Sequence, residues 1–296
     1  MNNLFLQEFE NQAIERIKKF GLLCEKLNQI PVLGFSGGKD SIVTHDLCKR
    51  SGIIFRSCFN HSFESPYTIN FIRKNFKDVE FRRVEKKGFF QNIKENHNGM
   101  FPTAESALCC DNYKHNHKFT DYATITGIRA NESQKRKQRK TLETRTKRFL
   151  KKNKNVILSY FTENCIASGA HSEIQLHPII DWSDEDVWNY IYKYKLPINP
   201  EYNIGYKRVG CMICPKANFD RNYLTLLRYP KLIDCAIKSR QNTKNDWFIT
   251  SDNKDYSDDK VYYICRWLNY SFRPFSKKNE ELYKKFRKYY DSKVWQ

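Results

Sequence analysis

Ser36-Gly37-Gly38-Lys39-Asp40-Ser41 follows directly on the apolar run Pro31-Val32-Leu33-Gly34-Phe35. It leads into a segment with Ile42, Val43, Leu47 and Cys48 at helical spacing. A buried strand turning through paired glycines into a helix constrains this chain more than any other feature. The glycines let the backbone approach a polyphosphate closely, and the helix N-terminus offers free N–H groups and the positive end of its dipole. Ser36 and Ser41 add hydroxyls, and Lys39 adds a charge. Asp40 after Lys39 excludes the pattern G-x-x-x-x-G-K-[ST] of the Walker loop.

The rest of the chain extends the pattern. Leu6, Phe9, Ala13, Ile17 and Phe20 predict a helix over 4–23. Strands are expected over 53–59, 79–84 and 122–128, and helices over 66–76 and 103–119. Such alternation predicts an α/β, Rossmann-like parallel sheet with helices on both faces. His177 to Trp182 reads as a strand end. Ser183 reads as the N-cap of a helix with Asp184, Glu185 and Asp186 in its first turn, where the dipole favours acids. The tail from 216 is aromatic-rich and helical in pattern. The expected division is therefore 1–215, carrying a basic insertion at 134–156, and a helical region at 216–296.

Composition narrows the function classes. With 296 residues, 40% hydrophobic and 29% charged, a core can form and general disorder is excluded. No apolar run reaches the ~18 residues of a membrane span. The opening segment carries Glu8 and Glu10 and lacks a signal peptide's basic-then-apolar order. Lys+Arg 52 against Asp+Glu 33 gives +19, which favours a polyanionic partner. Between Lys135 and Lys154 eleven Lys/Arg face one acid, Glu143, so over half of that excess sits in one segment. Such a run is either a solvated face or a surface for a nucleic-acid backbone. Ten cysteines without an export signal fit a reducing compartment, and a cytoplasmic location is expected.

Every position of the loop matches SGGxDS, and the chain thereby resembles the PP-loop ATP pyrophosphatases, the adenine nucleotide alpha-hydrolase (HUP) superfamily. That resemblance implies ATP and a magnesium ion, with Ser36, Gly37, Gly38, Lys39, Asp40 and Ser41 holding the leaving pyrophosphate. Asn60 to Thr68 resembles the segment D-T-G-x-E-x-P-E-T of the phosphoadenosine phosphosulfate (PAPS) reductase family, with Glu64, Pro66 and Thr68 kept. Thr126-Gly127-Ile128-Arg129-Ala130-Asn131-Glu132-Ser133 resembles its T-G-x-R-x-x-x-S. Residues 178–188, Asn199-Pro200 and Gly205 to Cys211 resemble its C-terminal half. The likeness covers roughly 30–216. It implies that Arg129 meets phosphate or sulfate and that Glu64 serves the nucleotide. The alternatives are a structural ion pair for Arg129 and a solvated loop acid for Glu64. Trp182 and Trp188 read as core.

Cys211-Met212-Ile213-Cys214 places two thiols on one centre, and Cys109-Cys110 is a tandem pair. Adjacent cysteines crowd a single zinc ion but can reach different irons of a cube. Assimilatory adenylylsulfate reductases, which this pattern resembles, bind a [4Fe–4S] cluster with such a set, and Lys114 matches the lysine of their C-C-x-x-R-K. A [4Fe–4S] cluster on Cys109, Cys110, Cys211 and Cys214 is expected. Zinc and unmetallated thiols remain open, as does replacement of one tandem cysteine by Cys165 or Cys235. Cys24, Cys48 and Cys58 read as packing residues.

The sequence contains no E-C-G-x-H motif, the nucleophile segment of PAPS reductases, and Cys265 lies in an apolar stretch. The loop is complete where those reductases carry a degenerate one. Both features point to ATP as the nucleotide consumed and to a likeness with the DNA phosphorothioation ATP pyrophosphatases. The expected catalytic groups are Lys39, Asp40 and Arg129. The expected partners are nucleic acid through 135–154 and a cysteine desulfurase. The alternatives are a sulfur-assimilation enzyme (sulfonucleotide reduction or sulfate adenylylation) and a nucleic-acid-binding module with an idle nucleotide fold.

Overall fold

The computed structural model describes residues 3–83, 88–97, 99, 101–103, 108–114, 121–161, 165–168, 172–217 and 219–239, together with single positions from 267 to 292. The chain divides into two compact units. The first comprises Met1–His61, Pro66–Arg82 and His115–Gly210, and the second Ser62–Ser65, Arg83–Lys114 and Cys211–Gln296. These borders differ from the expected 1–215 and 216–296, because two segments from the N-terminal half belong to the second unit.

In the first unit, seven strands form one sheet in the order β3-β2-β1-β4-β7-β5-β6. They are β1 (Val32–Gly34), β2 (Arg56–Asn60), β3 (Val79–Arg82), β4 (Ala123–Ile125), β5 (Leu142–Thr144), β6 (Cys165–Ala167) and β7 (Ile174–Leu176). All pairs are parallel except β5 with β7. Helices α1 (Asn3–Lys26), α2 (Lys39–Ser51), α3 (Pro66–Asn75) and α8 (Asp184–Lys193) accompany it. Three shorter helices, α5 (Gln134–Lys137), α6 (Lys147–Lys152) and α7 (Lys154–Leu158), lie in the basic segment. The expected α/β class holds. Ala13, Ile17 and Phe20 are fully buried, as the periodicity of α1 requires, and they share a core with Leu33, Ile42, Leu47, Ile125 and Trp182.

Two readings of this region change. The basic segment does not merely interrupt the alternation: β5 adds to the sheet, with Leu142, Glu143 and Thr144 all buried. The strand expected near 177–182 ends earlier, at Leu176, and the chain then turns into α8. Ser183 caps α8 as expected: its hydroxyl accepts from the Asp186 amide (3.1 Å), and the Asp186 carboxylate accepts from the Ser183 amide (2.8 Å).

Strand order places a topological switch at β1, whose neighbours are β2 and β4. In open α/β sheets ligands bind outside the carboxyl ends of the strands at such a point. The glycine loop leaves β1 there, and Thr126 to Arg129 leave β4.

The second unit contains α4 (Phe89–Asn96), a π-helical turn at Cys110–Lys114, α9 (Phe219–Arg228) and α10 (Lys231–Ser239). Phe89, Ile93, Phe101, Tyr113, Ile213, Leu226, Ile233 and Trp267 form its own core. Of the helix expected over 103–119, only 103 and 108–114 are described. Cys265 and most of the expected helical tail beyond 240 lie outside the described residues.

Candidate functional site

The glycine loop is braced from within and from afar. Gly37 has φ +72°, the left-handed region that a side chain strains, and a Cβ there would stand 2.9 Å from Ile72. Ser41 Oγ donates to the Gly38 carbonyl (2.8 Å) and accepts from the Ser36 amide (3.2 Å). Asn199 Nδ2 donates to the Gly37 carbonyl at 3.0 Å and to Thr68 Oγ1 at 3.2 Å. N-cap Gly38 supplies no side-chain cap. The Lys39 amide instead donates to Tyr202 Oη at 2.9 Å. Burial pushes the Tyr202 phenol up from its ordinary pKa.

Lys39, Asp40 and Arg129, the expected catalytic groups, meet in a square of alternating charge completed by Asp184. Lys39 Nζ stands 3.3 Å from Asp40 and 3.0 Å from Asp184. Arg129 donates from Nε to Asp40 at 2.5 Å and from a terminal nitrogen to Asp184 at 2.8 Å. Both cationic side chains are 4% exposed, while Asp184 is 63% exposed. Burial works against the Arg129 charge, but Asp40 and then Asp184 raise its pKa overall. Burial likewise works to raise Asp184, but Lys39 and then Arg129 hold its carboxyl below the usual range. Gly127 allows this meeting, because a Cβ there would lie 2.6 Å from the Asp40 carbonyl oxygen. Asp184 read in the sequence as a dipole-favoured helix-start acid. The signal that it belongs to the site is the sheet order, which the sequence did not display.

A second buried network anchors β5. Arg139 donates to the Glu143 carboxylate at 2.5 Å, and Ser168 Oγ donates to the same carboxylate at 2.6 Å. His177 Nε2 stands 3.6 Å from the same carboxylate, beyond hydrogen-bond length, while its Nδ1 meets Thr126 Oγ1 at 2.7 Å. Burial works to raise the Glu143 carboxyl, yet His177, Ser168 and Arg139 hold it down at about 2. Burial lowers His177 below its ordinary pKa. Among the basic residues of 135–154, Arg136 pairs with Glu132 and Arg139 with Glu143. The other nine are exposed, and one of them, Arg145, stands 3.6 Å from Glu173.

In the second unit, Glu64, Cys109, Cys110, Cys211 and Cys214 share one neighbourhood. Glu64 pairs with Cys211 in a β-bridge, and the Met212 amide donates to the Phe63 carbonyl at 2.7 Å. Glu64 is not a solvated loop acid: it is 5% exposed and stands 3.2 Å from Lys114. Burial works to raise its carboxyl, but Lys114 and Ser62 hold it low. Ser62 Oγ stands 3.2 Å from Cys211 Sγ. Asn222, on α9, clamps Cys214 through both backbone groups, donating to its carbonyl at 2.8 Å and accepting from its amide at 3.1 Å. The Cys109 thiol is raised by its hydrogen bond to Cys110 and by burial. Cys110 is pulled down to about 6 by the same hydrogen bond, against burial and with help from Lys114 and Lys216. Burial raises Cys214.

Cys109, Cys110, Cys211 and Cys214 offer thiols, the donor type that iron–sulfur clusters take. Among the described residues, no group of three or more His, Cys, Asp or Glu is placed to hold a metal ion. Cys165 lies on β6 in the first unit, its thiol raised by burial to about 11, and Cys235 lies exposed on α10. Cys24, Cys48 and Cys58 are buried. No described helix is long and apolar enough to cross a membrane.

The chain has relatives among known proteins. The chain is 27% identical over 269 residues to an uncharacterized protein of Methanocaldococcus jannaschii, covering 86% of this chain and 56% of that protein. It is 25% identical over 166 residues to the adenosine 5'-phosphosulfate reductase of Bacillus cereus, covering 55% of this chain and 61% of the enzyme. The chain thus spans a little over half the length of these curated relatives. A crystal structure of the PAPS reductase from Candida auris, in complex with phosphate, is similar with a TM-score of 0.45 and 14% identity, covering 71% of this chain and 96% of that one. The model of the phosphoadenosine phosphosulfate reductase domain matches residues 30–217, well over half of the sequence, and the chain belongs to that family.

Proposed function

We propose that this chain is an ATP pyrophosphatase of the PAPS reductase family. It would adenylylate a phosphate-bearing substrate, with nucleic acid as the favoured class, in a sulfur-transfer pathway. One observation carries the reading: the complete SGGKDS loop opens α2 at the switch point of the sheet, with Lys39 and Arg129 converging on it. A substrate oxygen attacks the α-phosphorus, the bond to the β-bridging oxygen breaks, and pyrophosphate leaves with that electron pair. The α2 N-terminus and Lys39 receive the leaving group, and Arg129 offsets charge that grows during transfer. Such catalysis is positioning and charge stabilisation. Asp40 and Asp184 supply the hard oxygen donors that a magnesium ion accompanying ATP takes.

In the second unit, Cys109, Cys110, Cys211 and Cys214 would hold a [4Fe–4S] cluster, with a cysteine desulfurase as the sulfur source. Bound there, such a cluster would supply sulfur or electron handling. Lys114 offsets thiolate charge, and Asn222 holds the Cys214 backbone in place.

ATP–pyrophosphate exchange in the presence of single-stranded nucleic acid tests the reading. Exchange that disappears in Lys39→Ala supports it. The identity to an adenosine 5'-phosphosulfate reductase favours a second reading, sulfonucleotide reduction. Sulfite release from adenylyl sulfate with thioredoxin, without exchange, replaces the first reading by the second.

A further inference from the structure

Trp188 and Tyr192 stand four residues apart on α8 and so share one side of that helix. Their rings stack, with centroids 5.9 Å apart and planes at 22°. Tyr202 meets Trp188 edge-on at 5.2 Å and 81°. Trp188 is only partly buried, and Tyr192 is 63% exposed. These three rings help line a cavity of about 610 Å³ in the first unit, within the ~300–1,000 Å³ usual for ligand sites.

The charged lining is unequal. Lys39 and Arg129 are balanced by Asp40 and Asp184, and the excess lies with Lys207 and Arg208, which face one carboxylate, Glu132. Arg208 reaches Glu132 at 3.2 Å while its side chain stays 61% exposed. Lys207 is exposed. A planar aromatic wall beside excess positive charge recognises a flat ring bearing an anion. An acidic peptide would use the cations and leave the rings without a role. A free nucleotide would use both, as ATP at Lys39 and Arg129 would, while the nine exposed cations of 135–154 carried by the same unit suit a longer polyanion as well.

We propose that this cavity seats one unstacked nucleotide of a single-stranded nucleic acid. Its base lies on the open face of Tyr192, which Trp188 backs, and its phosphate is held by Lys207 and Arg208. The inference rests on the adenylylation reading in that it names the acceptor, and its test is separable from that reading because strand binding is measured without ATP.

Fluorescence anisotropy of a labelled short oligothymidine, titrated with the full chain, is compared with a duplex of equal length and with competition by thymidine monophosphate. Tyr192→Ala is the informative variant, because an exposed ring is removed without opening the core; a thermal melt matching the parent confirms its fold. The expected result is single-strand preference and about tenfold weaker binding in Tyr192→Ala, the size of one base-stacking interaction. Lys207→Glu is expected to weaken binding and to flatten its salt dependence. Binding unchanged in Tyr192→Ala, a duplex bound as well as the strand, or a monophosphate competing at equal concentration each overturns the proposal. Tyr192-dependent strand binding without pyrophosphate exchange keeps the seat and removes the ATP reading. Exchange with strand binding indifferent to Tyr192 does the reverse.

Discussion

The backbone amide of Lys39, the first residue of α2, donates to the phenol oxygen of Tyr202, which stands 163 residues further along the chain, at 2.9 Å. An N-cap interaction is thus supplied by a distant side chain, because Gly38 has none to offer. Tyr202→Phe deletes the acceptor and keeps the ring. It is expected to lower stability by about 1 kcal/mol, read from the urea midpoint at unchanged slope.

Arg129 bridges Asp40 and Asp184 from a nearly buried position. Arg129→Ala leaves Asp40 with Lys39 as its remaining partner in the square. The expected cost is about 3 kcal/mol in urea unfolding, typical of breaking a buried pair. Pyrophosphate exchange should fall at least ~100-fold, as when one preorganised charge-stabilising donor is removed. A variant retaining parental exchange would remove Arg129 from the chemistry.

Glu143 has a carboxyl held at about 2 in the folded chain against 4.5 in its ordinary state. A depressed folded pKa contributes stability that is complete above the ordinary value and is lost as pH falls from 4.5 toward 2. Glu143→Gln should flatten the acid limb of the stability profile in that window. An acid limb identical to the parent's would show that other carboxylates set it.

Nine exposed Lys and Arg between 135 and 154 can neutralise a phosphate backbone. Replacing Lys147, Arg148, Lys151 and Lys152 by Ala should weaken single-strand binding. It should also reduce the slope of log K against log salt by ~0.7 for each phosphate no longer neutralised. An unchanged slope would show that this segment stays in solvent when nucleic acid binds.

Anaerobic purification with an iron count and a visible spectrum tests the thiol set. The parent is expected to carry iron and a broad visible absorption, Cys211→Ala to lose both, and Cys165→Ala to retain both. Iron retained in Cys211→Ala would exclude that cysteine as a ligand.

Much of the site was legible because its parts are contiguous. The loop, the Ser183 cap and the tandem and spaced cysteines each depend on neighbours a few residues away. The strands β5 and β6 were not legible. Leu142 is the lone apolar residue of β5, and its companion Glu143 is buried only because Arg139, Ser168 and the nearby His177 surround its charge. A polar strand held by distant partners reads as a solvated run. The surroundings of Glu64 were hidden for the same reason: its burial depends on Lys114 and on a bridge to Cys211, 147 residues away.

By itself the sequence determined the strand–glycine–helix junction, the α/β class and the residue types able to hold phosphate or metal, since these follow from local sterics and periodicity. Tertiary structure alone decided which charges meet. Arg129 finds Asp40 across 89 residues and Asp184 across 55. Those partners are chosen by the order of strands in the sheet, which brings the ends of β1 and β4 side by side. No spacing along the chain encodes that adjacency.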